Sequence, residues 1–577
     1  MNEDRLLAHY EKIADAPDAI ALLRRFILDL AVRGKLVPQD ASDEPASELR
    51  KRIAKEKARL VKAGELRKPR DLDSGDDVVE PYSIPSTWQW VRLDGAGAIV
   101  GGGTPSASDA DNFAEPGEGV PWLTPADLGG YSGLYISRGS RDLSERGART
   151  SSATLMPEGT VLFTSRAPIG YVAIAANPIS TNQGFKSIVP YVADCSRFIA
   201  TVMKAFAPAI DAKAPGTTFK EVSGKIVAAV PFPLPPLAEQ HRIVAKVDEL
   251  MGLCDRLEAA RAGREAVRDR LAAASLARLS APDPATFQTD ARFALDALPA
   301  LTTRPDQIKA LRQIILNLAV RGRLLPQDPN DEPASELLKS VANRKAQLLE
   351  ARRIKSDRPL PPIREDETPF PLPKAWVWAR AQDLSLKISD GVHKKPNYVA
   401  SGVPFVTVKN LTQGPGISFR ETRFITEDDH AEFTKRTHPE KGDVLITKDG
   451  TIGVSRIVDT DRAFSIFVSV ALIKMVIPGI APFLTLCINS DVVRDTIIPK
   501  GAALKHLHLV DLRNLPLPLP PLPEQHRIIS KVDALMALCD QLEASLTATA
   551  ATRRRLLDAL LAEALAPTED RELEAAE

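Results

Sequence analysis

Residues 233–258 read PLPPLAEQHRIVAKVDELMGLCDRLE, and residues 518–543 read PLPPLPEQHRIISKVDALMALCDQLE, identical at 20 of 26 positions. Pro235 and Pro236 fix the backbone and suit the first helical positions, where a missing N–H leaves no bond unmade. Glu239 then falls in the first turn, where the helix dipole favours an acid. Ile243, Val247, Leu250, Cys254 and Leu257 follow at spacings of 4, 3, 4 and 3, as do Ile528, Val532, Leu535, Cys539 and Leu542 in the second copy. This is a heptad seam, which buries a narrow stripe and predicts another helix alongside. The second seam runs on to apolar Leu546, whereas the first meets Arg261, whose stem would have to pack with its head in water. His241 and His526, in the first turns, are read as plain polar residues, and Cys254 and Cys539 as small buried apolar ones.

A second repeat precedes each copy. LAVRGKLVPQDASDEPASEL from Leu30 returns as LAVRGRLLPQDPNDEPASEL from Leu318, identical at 16 of 20 positions, and Trp88 and Trp90 are matched by Trp376 and Trp378. Between these segments the match thins to a skeleton, with EGTVLFTSRAPIG from Glu158 against KGDVLITKDGTIG from Lys441. The chain is therefore written twice, as helix, globular segment and proline-led helix. Two units of this size predict a pseudo-twofold molecule rather than a solenoid. Leu49, Ile53 and Leu60, matched by Leu337, Val341 and Leu348, are the expected partners of the seam. The tryptophans alternate at strand spacing and are expected to pack in the core or against the helices.

A chain of 577 residues exceeds one core. Lys plus Arg and Asp plus Glu both total 75, so no global basic charge points to nucleic acid, although a local patch or a basic partner could supply phosphate contacts. Four scattered cysteines without a C-x-x-C pair predict neither disulfides nor zinc, and a reducing cytoplasm. The charged N-terminus lacks the apolar core of a signal peptide. The apolar run from Phe464 is broken by Lys474, Pro478 and Pro482, and is read as a buried strand, a turn and a helix.

Catalytic signatures are missing. NPIS at Asn177 lacks the second proline of a methyltransferase base-flipping loop, and GGGTPS from Gly101 has no G-K-[ST] and is no Walker loop. PDQIK at Pro305 and EKGDVLITK ending at Lys448 only imitate a nuclease strand, and no H-E-x-x-H, G-x-S-x-G or metal-ligand cluster occurs.

The duplicated PLPPL-x-EQHRI with its heptad helix, the early P-x-x-W-x-W and the G-x-V-L-[FI]-T leading to I-G together resemble the specificity subunit of a type I restriction–modification system, over nearly the whole chain. The resemblance implies an α+β molecule: two α/β target-recognition domains joined by a long antiparallel coiled-coil stem in a pseudo-twofold tandem duplication. The boundaries expected are an N-terminal helical region 1–80, a first target-recognition domain 81–232, central stem helices 233–366, a second domain 367–517 and a C-terminal stem helix 518–577. It implies that each domain reads half of a bipartite duplex site and that the helices set the spacer and dock two methyltransferase subunits. Those subunits would carry S-adenosylmethionine, this chain binding no cofactor, and restriction–translocation subunits could join. A helix of 30–40 residues is about 45–60 Å long, enough to place half-sites about one turn apart, at roughly 34–36 Å. The alternatives are a two-partner protein scaffold without DNA reading, or an atypical DNA-modifying enzyme.

Candidate DNA contacts are loop residues able to pair with base edges or phosphate. In the first domain they are Thr104, Ser106, Ser165, Arg166, Asn182, Gln183, Lys186 and Lys220. In the second they are Lys394, Lys395, Asn397, Lys409, Asn410, Lys448, Lys505 and His508. Ile84–Val230 holds 12 basic and 12 acidic residues, and Thr368–Leu515 holds 19 and 15, a net charge of +4. Weak DNA binding by the chain alone is expected, with partners neutralising much of the phosphate.

Overall fold

A computed structural model of the chain describes residues 15–64, 78–216, 220–280, 304–497 and 506–565, with the single residues Thr286, Thr289, Phe293 and Thr302. The chain forms two compact units, Met1–Arg264 with Ala550–Glu577, and Glu265–Thr549. Among the described residues no helix is long and apolar enough to cross a membrane.

In the first unit, helices Ala19–Val32 and Ala46–Lys62 precede the globular domain. The second places Glu48 in its first turn and Arg59 and Lys62 in its last, as the helix dipole favours. The repeated V-R-G explains itself at the end of the first. Gly34 turns left-handed (φ 68°), and the Lys35 N–H reaches back to the Leu30 carbonyl at 3.0 Å. A Cβ there would meet Pro85 at 2.5 Å. Gly322 repeats this in the second unit, with φ 65° and Pro373 at 2.6 Å.

The tryptophan strand Gln89–Arg92 pairs antiparallel with Pro231–Leu234, setting Trp90 opposite Pro233. Val377–Arg380 and Pro516–Leu519 do the same, with Trp378 opposite Pro518. A strand with proline at alternate positions cannot lie inside a sheet, and each pair is a two-stranded ribbon. Beyond the ribbon, the first domain holds a five-stranded sheet in the order Gly97–Gly101, Lys186–Pro190, Val161–Phe163, Val172–Ala175, Tyr135–Ile136. Its four-stranded sheet runs Phe113–Ala114, Arg141–Leu143, Val120–Leu123, Ser180–Thr181. The second domain has two four-stranded sheets, Ser385–Asp390, Val470–Met475, Val444–Thr447, Ser455–Ile457 and Tyr398–Val399, Arg423–Ile425, Val403–Val406, Ser465–Ile466. The apolar run from Phe464 resolves into two of these strands followed by helix Ala481–Asn489. The molecule is thus mixed helix and sheet.

The proline-led helices are Leu237–Ser280 and Leu522–Leu565, 44 residues each. Pro235 and Pro236 stand just before the first helix, whose first turn closes when Gln240 N–H donates to the Pro236 carbonyl (3.0 Å), whereas Pro523 lies in the first turn of the second. In the first unit Ile243, Val247 and Cys254 are buried with Ile27, Ala31, Leu49 and Ile53, and Leu250 and Leu60 pack at the margin. Ile528, Val532 and Cys539 lie in the same way among Ile315, Ala319, Leu337 and Val341, with Leu535 and Leu546 at the margin. Leu257 and Leu542, expected to close the seams, are instead 38% and 37% exposed. The cause is local: beyond each cysteine the neighbouring helix presents an arginine instead of an apolar side chain. Arg24 pairs with Asp255 (2.6 Å) and Glu258 (2.7 Å), and Arg312 with Asp540 (2.6 Å) and Glu543 (2.7 Å). Arg261 packs partly buried, its guanidinium donating to the Ala16 carbonyl (3.3 Å). The end of the last helix returns to the first unit, where Leu557, Leu560, Leu561 and Ala564 cover Ala16, Ala19, Phe26 and Leu30.

Candidate nucleic-acid interface

Each globular domain is fastened to its helix by one repeated polar latch. Trp88 Nε1–H donates to Glu239 Oε2 (2.9 Å), and Gln39 Nε2–H to Glu239 Oε1 (2.6 Å). Trp376 donates to Glu524 Oε2 (2.9 Å) and Gln327 to Glu524 Oε1 (2.7 Å). Burial pushes both glutamate carboxyls above the usual range, against the opposing pull of these hydrogen bonds. Arg242 clamps Asp43 through two bonds (2.6 and 3.0 Å), and Arg527 clamps Asp331 (2.6 and 3.2 Å). Gln240 and Gln525 donate to the carbonyls of Pro235 and Pro520. The motif E-Q-H-R therefore spends its Glu, Gln and Arg on attachment, while His241 and His526 are exposed. Trp88 and Trp376 are core residues; Trp90 packs edge-on to Tyr82 and Trp378 against Phe370.

Elsewhere on each domain four loops converge. In the first, Gly103 N–H donates to the Thr181 carbonyl (2.8 Å), Ser165 N–H to Gly184 (2.7 Å) and Val222 N–H to Ser165 (2.9 Å). This gathers most of the candidate residues. Thr104 hydrogen-bonds Gln183 across two loops, and Ser106 lies beside Ser108 (2.9 Å). Lys186 and Arg166 both face Glu221, at 3.7 and 3.5 Å. Asn182 accepts from the Gly184 N–H (2.8 Å), shaping the loop with its side-chain oxygen. Lys220 lies at the edge, paired with Asp211 (3.1 Å). Ser165 is fully buried, and so is corrected from a DNA contact to an interior residue whose hydroxyl meets no partner among the described residues.

The second domain repeats the convergence: Val392 N–H donates to Ile466 (3.1 Å), Lys448 N–H to Ser469 (2.8 Å) and Leu507 N–H to Lys448 (2.9 Å). Two candidates are corrected here. Lys448 is 2% exposed and its ammonium donates to Asp390 Oδ2 (3.2 Å), filling the interior at the station of Ser165. Asn410 is buried as a helix-capping residue, accepting from Thr407 N–H (2.8 Å) and donating to the Ser418 carbonyl and Thr422 hydroxyl (both 2.8 Å). Asp390 also binds Arg436 (2.5 Å) and His393 (3.2 Å). Burial raises its carboxyl, but Lys448, Arg436 and His393 outweigh that and hold it below the usual range. Lys394, Lys395 and the Asn397 side chain are exposed on the loop that Asp390 anchors. Lys409 pairs with Glu421 (2.6 Å) away from the convergence, and His508 stacks edge-on to His506 (4.7 Å). Lys505 lies outside the described residues.

The residues missed are Glu221, Asp449 and His506. Asp449 pairs with His506 where Arg166 pairs with Glu221. The internal alignment of SRAPIG with KDGTIG held the signal, since it sets Arg166 against Asp449.

The family model for the type I restriction modification DNA specificity domain matches residues 85–262 and 384–550, each match running from a globular domain into its long helix. The type I restriction enzyme EcoEI specificity subunit of Escherichia coli is 31% identical, over 95% of this chain and 94% of its own. The EcoAI specificity subunit of the same organism is 30% identical, over 94% and 93%. A crystal structure of the HsdS subunit from Thermoanaerobacter tengcongensis aligns over 84% of this chain and 98% of that one, with 19% identity and a TM-score of 0.39. By the span of the family model and the full-length relatives, the chain belongs to the type I restriction modification DNA specificity family.

Proposed function

We propose that this chain is the DNA-reading, non-catalytic subunit of a type I restriction–modification complex, each globular domain reading one half of a bipartite site. In this reading the long helices form an antiparallel, pseudo-twofold stem that fixes the spacer and docks two methyltransferase subunits. S-adenosylmethionine and methyl transfer belong to those subunits, restriction subunits can join, and the complex works in the cytoplasm on double-stranded DNA. The carrying observation is duplication with selective divergence. The latch is repeated group for group, whereas the four-loop face is rebuilt with different side chains. Two like partners require two like seats, and two unlike half-sites require two unlike faces. Equal docking seats are supported by matched exposed leucines, Leu253 and Leu257 on one helix and Leu538 and Leu542 on the other.

Mapping methylated bases across a host genome with and without this gene tests the reading. Two short words at a fixed separation, lost with the gene, are expected. A pattern without a bipartite word would favour a protein scaffold, and methylation by the isolated chain would favour an enzyme; either result overturns the proposal.

A further inference from the structure

Arg166 and Asp449 occupy one station of the fold. Each stands two residues past a threonine repeated in both halves, Thr164 or Thr447, whose N–H donates to the carbonyl seven residues on (Tyr171 or Val454, 3.0 Å in both). Each forms an isolated antiparallel bridge with the segment that precedes the proline strand and the long helix, Arg166 with Glu221 and Asp449 with His506. The cation and its acidic partner in the first domain are replaced by an acid and an imidazole in the second.

These pairs do little for the fold. The four side chains are 36%, 44%, 39% and 39% exposed, and an ion pair so placed contributes little to stability. The loops are held by the backbone bonds beneath. Arg166 meets Glu221 at 3.5 Å, and Glu221 is shared with Lys186 at 3.7 Å, so the guanidinium can leave for a ligand cheaply.

Resting on the DNA-reading function above, we propose that Arg166 and Asp449 are specificity-determining residues at equivalent stations. Arg166 donates to a guanine in one half-site, and Asp449 accepts from the exocyclic amino group of a cytosine in the other. Guanine presents two acceptors, O6 and N7, to the fork of an arginine, and the cytosine amino group is a donor suited to a carboxylate. The acid is the stronger clue. A carboxylate is repelled by phosphates, so at a DNA-facing station it is compatible with a base amino group and not with the backbone. His506 pairs with that carboxylate, and His508 lies edge-on to His506.

The test uses the full chain assembled with its methyltransferase partners, a random-sequence duplex library and sequencing of the methylated products. R166Q is expected to weaken a guanine preference roughly 10- to 100-fold at one position of one half-site, leaving the other half unchanged. D449N is expected to do the same for a cytosine in the other half-site. E221Q and H506Q break the same pairs but leave both preferences in place. Uniform loss of methylation over all sequences in R166Q and D449N, or relaxation in E221Q equal to that in R166Q, overturns the proposal. If the wild-type complex itself shows no bipartite word, the underlying function fails; if it does and R166Q and D449N read it unchanged, only this inference fails.

Discussion

Glu239 and Glu524 each accept one buried donor, a tryptophan indole, and a second from the amide of a glutamine that also reaches water. Glu239→Ala leaves the buried Trp88 indole without its acceptor, while the Gln39 amide can turn to water, and unfolding in urea should show a loss of about 1–3 kcal/mol. Both carboxyls are held above their usual range by burial, so the folded chain keeps these protons to higher pH than the unfolded chain. Stability therefore falls as pH rises from the ordinary carboxylate range through the raised folded value, and is level above it. Glu239→Gln should flatten the part of that slope due to the first unit, read from unfolding midpoints at several pH values. Asp390 has the opposite sign: its folded carboxyl is depressed, so its contribution is full above the usual carboxylate range and lost as pH falls through the folded value. Breaking this buried pair by Asp390→Ala strands Lys448 and should destabilise the second unit by about 3–5 kcal/mol, whereas replacing both partners with apolar residues should cost far less.

At the scale of elements, the long helices separate buried seam from exposed flank within a few residues. Ile243→Ala or Ile528→Ala removes a fully buried side chain and should lower stability by about 2–4 kcal/mol, while Leu257→Ala or Leu542→Ala should stay within about 0.5 kcal/mol. Thermal unfolding followed by circular dichroism distinguishes them. A charged pair, Leu538→Asp with Leu542→Asp, should leave folding intact yet weaken capture of a methyltransferase subunit, measured by gel filtration of the mixture. The sequence announced these helices because heptad spacing and close repetition can be read along the chain, and it placed the tryptophan strand by its period of two. It could not show where the seam ends, since Leu257 continues the heptad perfectly and is released only because Arg24 stands opposite. The candidate face was legible as loops but not as roles. Whether Lys448 reaches water or Asp390, and whether Asn410 faces a base or caps a turn, depends on neighbours 58 residues and 8 to 12 residues away.

Charge decides how the whole molecule meets DNA. The first domain's segment carries no net charge, and its cations are largely engaged: Arg138 with Asp142, Arg146 with Asp109 and Asp111, Lys220 with Asp211, and Arg166 and Lys186 with Glu221. Each such pair leaves a carboxylate beside its cation, so the cation neutralises a phosphate less fully than an unpaired one would. The second domain is better supplied, with Lys394 and Lys395 exposed on one loop. Counterion release makes the logarithm of affinity fall with the logarithm of salt at about 0.9 per phosphate neutralised. For the isolated chain, fluorescence anisotropy over a salt series should give a slope below about 3, with the second domain supplying most of it. The assembled complex should reach about 6–10, the range of proteins that neutralise that many phosphates. An equally steep slope for the isolated chain would mean that its own cations leave their carboxylates on binding, and that its partners are not needed to hold the DNA backbone.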